Sequence, residues 1–114
     1  MKGKLSTHVL DIQNGGGAAG LSIALWRLQE GERVLLKEVV TNLEGRTDEP
    51  LLGSSEMQAG EYELVFEVGA YFGSDPEKSF LNAVPIRFRV VDPEEAYHVP
   101  LLVSRWAYNT YRGS

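Results

Sequence analysis

Apolar side chains recur at every second residue along most of this chain, and no long stretch repeats at the 3.6-residue period of a helix. Leu21, Ile23 and Leu25 alternate with Ser22, Ala24 and Trp26. Tyr62, Leu64, Phe66 and Val68 alternate with Glu61, Glu63, Val65 and Glu67, and Ile86, Phe88 and Val90 alternate with Arg87 and Arg89. Successive side chains of a strand point to opposite faces, so each segment lays one face on a core and turns the other to water or to a partner. The pattern predicts strands near 5–12, 21–29, 33–41, 61–68, 86–92, 96–104 and 106–111. Glycine and proline punctuate the gaps at Gly15-Gly16-Gly17, Glu30-Gly31, Gly53, Gly60, Gly73 to Pro76 and Asp92-Pro93. Glu30-Gly31-Glu32 between two apolar runs predicts a tight hairpin, and the triple glycine reads as a flexible turn. Segment 69–74 has room for a helical turn, weakened by Gly69 and Gly73. The expected fold is therefore all-β, a sandwich or barrel of seven to eight short strands with at most one short helix.

A chain of 114 residues, 43% hydrophobic and 24% charged, has the size and balance of a single domain spanning 1–114. Its net charge of −5 argues against sequence-independent nucleic-acid binding, which needs a basic face. No apolar run approaches the roughly 20 residues of a membrane span, so no membrane partner is expected. Lys2 and Lys4 are followed by alternation instead of an apolar leader, and the expected location is cytoplasmic. Without cysteine there are neither disulfides nor thiolate metal sites. With only His8 and His98, one chain cannot build a three-histidine zinc site. Val99, Pro100, Leu101, Leu102 and Val103 form a near-continuous apolar run, with Trp106, Tyr108 and Tyr111 close behind. A strand apolar on both faces needs cover on both. In so short a chain a second copy is the expected cover, which predicts an oligomer.

Few residues can carry chemistry. On period-two logic His8 shares a strand face with Ser6 and Leu10, and His98 with Pro100 and Leu102. Two imidazoles could divide the roles of base and acid near neutral pH. They could equally be strand histidines that only hydrogen-bond, since nothing local shows that they meet. Arg46, in the turn-like Asn42-Leu43-Glu44-Gly45-Arg46, could grip a planar anion or polarise a carbonyl, or be a solvated loop arginine. The triple glycine fits no phosphate-binding pattern, Glu94 and Glu95 read as solvated, and there is neither a nucleophile elbow nor a metal motif. Imidazole, guanidinium and bound water suit hydrolysis of an already activated carbonyl or ring. The tail Tyr111-Arg112-Gly113-Ser114 abuts an aromatic-rich strand with no linker and so reads as held in place.

Six stretches together carry a resemblance: THVLDI at 7–12 with its glycine-rich turn, EGR at 44–46, YELVFEVGAYF at 62–72, VPIRFRV at 84–90, YHVPLLVS at 97–104 and YRGS at 111–114. They resemble the 5-hydroxyisourate hydrolases, the enzymatic transthyretin-like proteins of urate breakdown, over nearly the whole chain. The terminal YRGS is the most specific piece, because the hormone carriers of this fold lack it. The resemblance implies a two-sheet transthyretin-like β-sandwich and a homotetramer built as a dimer of dimers. It implies opening of the 5-hydroxyisourate ring to 2-oxo-4-hydroxy-4-carboxy-5-ureidoimidazoline by water attack on a carbonyl, with no metal and no cofactor. It places catalysis on His8, Arg46 and His98, and substrate binding on His8, Arg46, Tyr111, Arg112, Gly113 and Ser114. A non-catalytic carrier of a small anionic apolar ligand is the second reading. Gly17 stands where the family usually has proline. Its expected effect is about 1 kcal/mol of stability through the unfolded state, away from the chemistry. Arg105 also stands at a common proline position, near the expected interface.

Overall fold

The computed structural model describes residues 3–73 and 75–113. The strands are β1 (Lys4–Asp11), β2 (Gly16–Gly17), β3 (Ser22–Gln29), β4 (Glu32–Val40), β5 (Gly60–Glu67), β6 (Ala83–Val90), β7 (Ala96–Val103) and β8 (Tyr108–Thr110). One short helix, α1 (Val68–Phe72), follows β5. They form two four-stranded sheets of order β2-β1-β7-β8 and β4-β3-β5-β6. The architecture is the expected all-β sandwich of eight strands with one short helix.

The alternating residues face inward as their period requires. Leu5, Val9, Leu101 and Val103 of the first sheet meet Leu25, Leu64 and Phe66 of the second, each with no accessible surface. The β3–β4 hairpin closes through Glu30 and Gly31 at φ 50° and 81°, with Gln29 opposite Glu32. Two consecutive left-handed residues are what a two-residue turn between twisted strands requires. Helix α1 forms despite Gly69, and Gly69 is there for a reason. A Cβ on it would lie 2.3 Å from Asn82 Oδ1, and its own N–H donates to the Asn82 carbonyl at 3.1 Å.

Some boundaries and one turn differ from the sequence expectation. β6 begins at Ala83, because Val84 buries against the core and Pro85 sits where β6 is an edge strand. β8 is confined to Tyr108–Thr110. Ser104 Oγ accepts from the N–H groups of Trp106 and Ala107 and holds the preceding residues in a turn. The triple glycine is not merely a flexible turn. Gly16 and Gly17 pair with Asp11 and Leu10 at the edge of β1. Asp11 anchors the turn before them by accepting from the backbone of Gln13 and Asn14 and from Tyr71 Oη at 2.7 Å.

The joining of β1 to β7 sets up everything that follows. These strands run parallel, with Leu5 opposite Tyr97, Ser6 opposite His98 and His8 opposite Pro100. The other edge of β1 is met in turn by Leu52, by the 42–46 turn and by β2. Arg105, expected near the interface, ties its own chain together. Its carbonyl accepts from Phe80 and Leu81, its N–H donates to Gln13 Oε1, and its guanidinium stacks 5.3 Å over Phe72.

Candidate active site

The parallel register brings both histidines to one face. Directly paired residues of parallel strands point the same way, so Ser6, His8, His98 and Pro100 share the outer face of the first sheet. Strand spacing and rise put the Cα atoms of His8 and His98 about 8 Å apart. Both side chains are half-buried.

Arg46 arrives from the other edge of β1. Asn42 Oδ1 accepts from the N–H groups of Glu44 and Arg46, and Gly45 takes φ +79°, which folds Asn42–Arg46 into a tight turn. The turn docks on β1 through Val9 N–H to the Gly45 carbonyl at 2.8 Å, which places Arg46 beside His8. Arg46 is exposed and belongs to none of the ion pairs among the described residues. The same turn fixes His8. Its Nε2 lies 2.8 Å from the Glu44 carbonyl, which can only accept, so Nε2 carries the proton and Nδ1 is left for other partners.

Gly17 was expected to lie clear of the chemistry, and here the structure differs. A Cβ on Gly17 would lie 2.2 Å from the Glu44 carbonyl oxygen. Gly17 thus packs directly against the turn that holds His8 and Arg46.

The tail reaches His98 from the far edge of β7. After β8 the chain continues antiparallel to β7, and Gly113 N–H donates to the His98 carbonyl at 2.7 Å. Gly113 lies close against the imidazole, and a Cβ on it would sit only 2.7 Å from Cδ2. Arg112 turns its guanidinium to Glu95 at 2.9 Å and to the Ala96 carbonyl at 3.0 Å, stacked 4.1 Å over the Tyr97 ring. It thus clasps the tail to the start of β7. Tyr111 is exposed, and Ser114 lies outside the described residues. His98, Tyr111 and Gly113 line an open concavity of about 890 Å³ with Glu94, Glu95, Ala96 and Arg112. His8 and Arg46 are not among its walls.

The electrostatics favour a neutral His98. Burial pushes its pKa below the ordinary 6.5, and the positive fields of Arg46, His8 and Lys4 push the same way, against a hydrogen bond to the Ser6 backbone. Among the described residues no group of three or more His, Cys, Asp or Glu is placed to hold a metal ion. Two participants escape the sequence reading. Ser6 lies 2.9 Å from His98 Nδ1, and Glu95 holds Arg112. Neither carries a local signal, because both partnerships depend on strand pairing.

The HIUase/Transthyretin family model matches residues 5–113. The 5-hydroxyisourate hydrolase of Mesorhizobium japonicum is 53% identical over 116 residues, covering 98% of this chain and 93% of the relative. That of Halalkalibacterium halodurans is 50% identical over 119 residues, covering all of both chains. Among solved structures, the 5-hydroxyisourate hydrolase of Klebsiella pneumoniae superposes with a TM-score of 0.80 at 36% identity, covering 97% of this chain and 99% of that one.

Proposed function

The chain belongs to the HIUase/transthyretin family, and from that membership and the geometry of the site we propose that it hydrolyses 5-hydroxyisourate in purine degradation. The observation that carries the reading is the meeting of His8, Arg46, His98 and Gly113 on one face of the first sheet, from four separate stretches of the chain. Water adds to a ring carbonyl, the C–N bond breaks, and a carboxylate and an N–H form, which gives 2-oxo-4-hydroxy-4-carboxy-5-ureidoimidazoline. The imidazoles move the proton from the attacking water to the leaving nitrogen. Arg46, exposed and outside the ion pairs, holds the anionic ring and the developing oxyanion. The tail closes one side of the pocket, Gly113 against His98 and Tyr111 at the rim.

The active assembly is a homotetramer, a dimer of dimers. Its support is exposed apolar surface: Ile12, Val91, Trp106 and Tyr111 are each more than half exposed. An open slot of about 500 Å³ between β6 and β7, floored by Ile86, Phe88, Tyr97 and Val99, adds to it. Within one chain Pro100 is already buried and Leu102 half-buried, so a second copy completes cover that the chain itself begins.

The test is the absorbance decay of freshly generated 5-hydroxyisourate. The expected result is decay far faster than the spontaneous rate, and no acceleration at stoichiometric protein overturns the reading. His98→Asn is expected to abolish turnover while light scattering still reports a tetramer. Full activity in that variant refutes the assigned site, and a monomer in the wild type refutes the assembly.

A further inference from the structure

We propose that Ser6 is a positioning residue for His98, its hydroxyl accepting a hydrogen bond from Nδ1–H so that Nε2 faces the substrate as the proton-accepting atom. The inference rests on the hydrolase reading above. It begins with the register: Ser6 is directly opposite His98 on the parallel neighbour strand, and its Oγ lies 2.9 Å from Nδ1.

Two contacts on opposite edges fix the ring. Ser6 holds the Nδ1 edge on the β1 side, and Gly113 packs against the Cδ2 edge on the tail side. A half-turn of the imidazole would place Cδ2 at Ser6 and Nδ1 against the glycine Cα, losing the hydrogen bond. The ring therefore has one seat, and in it Nε2 is the nitrogen left for substrate.

Proton flow then decides which way the Ser6 bond runs. If Ser6 donated, neutral His98 would carry its proton on Nε2 and have no lone pair there. With Ser6 accepting, the same bond serves both the neutral ring and the imidazolium formed when Nε2 takes a proton from water. A hydroxyl is also the partner that leaves the ring neutral. A carboxylate at this position would favour the cation, as buried His–carboxylate pairs do. The charged and titratable groups acting on the ring are Arg46 from the turn and His8 and Lys4 from β1, while Glu94 and Glu95 before β7 and Arg112 from the tail line the same concavity. Ser6 adds no charge to them.

The test uses the full-length protein labelled with nitrogen-15 in histidine, as wild type, Ser6→Ala and Ser6→Thr. In the wild type above the His98 titration, the proton is expected on Nδ1. Ser6→Ala is expected to move it toward Nε2 and to lower kcat roughly tenfold with KM changed less than about twofold, the loss of one buried hydrogen bond felt in the transition state. Ser6→Thr, which keeps the hydroxyl, is expected to restore both. A wild-type His98 protonated on Nε2, or a tautomer unchanged in Ser6→Ala, overturns the proposal. A changed tautomer with unchanged kcat overturns the role in the reaction. If the wild type does not turn over 5-hydroxyisourate, the hydrolase reading falls, and the spectra still decide whether Ser6 holds His98.

Discussion

Gly113→Ala tests how closely the tail is seated. Gly113 does not lie in the left-handed region, so alanine adds no backbone strain there. The whole effect comes from one methyl group, placed 2.7 Å from Cδ2 and 3.3 Å from Cβ and Cγ of His98. Ordinary carbon contacts lie near 3.5–4.0 Å, so ring or tail must give by about 1 Å. The ring can yield only by leaving Ser6, and the tail only by stretching the 2.7 Å bond from Gly113 N–H to the His98 carbonyl. Either response gives up about one hydrogen bond, near 1 kcal/mol, and Tm should fall by only a few degrees. The catalytic loss should be far larger, because a displacement of about 1 Å costs on the order of 100-fold. Stopped-flow decay of 5-hydroxyisourate beside differential scanning calorimetry separates the two. A variant with wild-type kcat/KM shows that the tail does not brace His98, or that His98 does not act. A large fall in Tm with unchanged kcat/KM shows that the tail serves stability alone.

Further outcomes follow from the same geometry. His98 is held below its ordinary pKa of 6.5, so the unfolded chain binds the proton more tightly. Its contribution to stability is complete above about pH 6.5 and is lost as pH falls toward the folded-state value; urea unfolding of the wild type should weaken over that window, and His98→Asn should weaken less. Burial opposes ionisation of Asp11, but hydrogen bonds from Asn14, Tyr71 and Gln13 hold its pKa below 3.8, and burial with the Asp11 bond pushes Tyr71 up to about 12. Tyr71→Phe should cost about 1.5 kcal/mol, read as a lower denaturant midpoint, while an unchanged midpoint would show that the bond is not made in solution. Glu95→Gln, which releases Arg112 from its exposed partner, should raise KM roughly threefold with Tm unchanged, and an unchanged KM would show that the clasp does not shape the pocket.

Much of the sandwich was legible because its signals are local. Period-two alternation in 21–29 and 61–68 marks an inner face whether or not the neighbouring strand is known, and Glu30-Gly31 states its own turn. The conformation of Gly16-Gly17 was not legible, because a glycine run gives the same sign whether it is free or drawn into an edge by Asp11. Gly69 misleads for a related reason: its propensity argues against helix, and only the approach of Asn82 explains why nothing larger fits. The composition of the site was visible in the scarcity of histidine and in the motifs around Arg46 and the tail. Its assembly was not, because hairpin signals mark antiparallel neighbours only, whereas β1 and β7 are parallel and lie at opposite ends of the sequence. One-residue slippage of that pair would turn His98 to the core and Val99 to the substrate. The register is held by Leu5 and Val9 on one strand and by Val99, Leu101 and Val103 on the other, all buried. The packing that stabilises the core thus also sets Ser6 opposite His98, so the sheet carries the chemistry on the reverse side of its hydrophobic pattern.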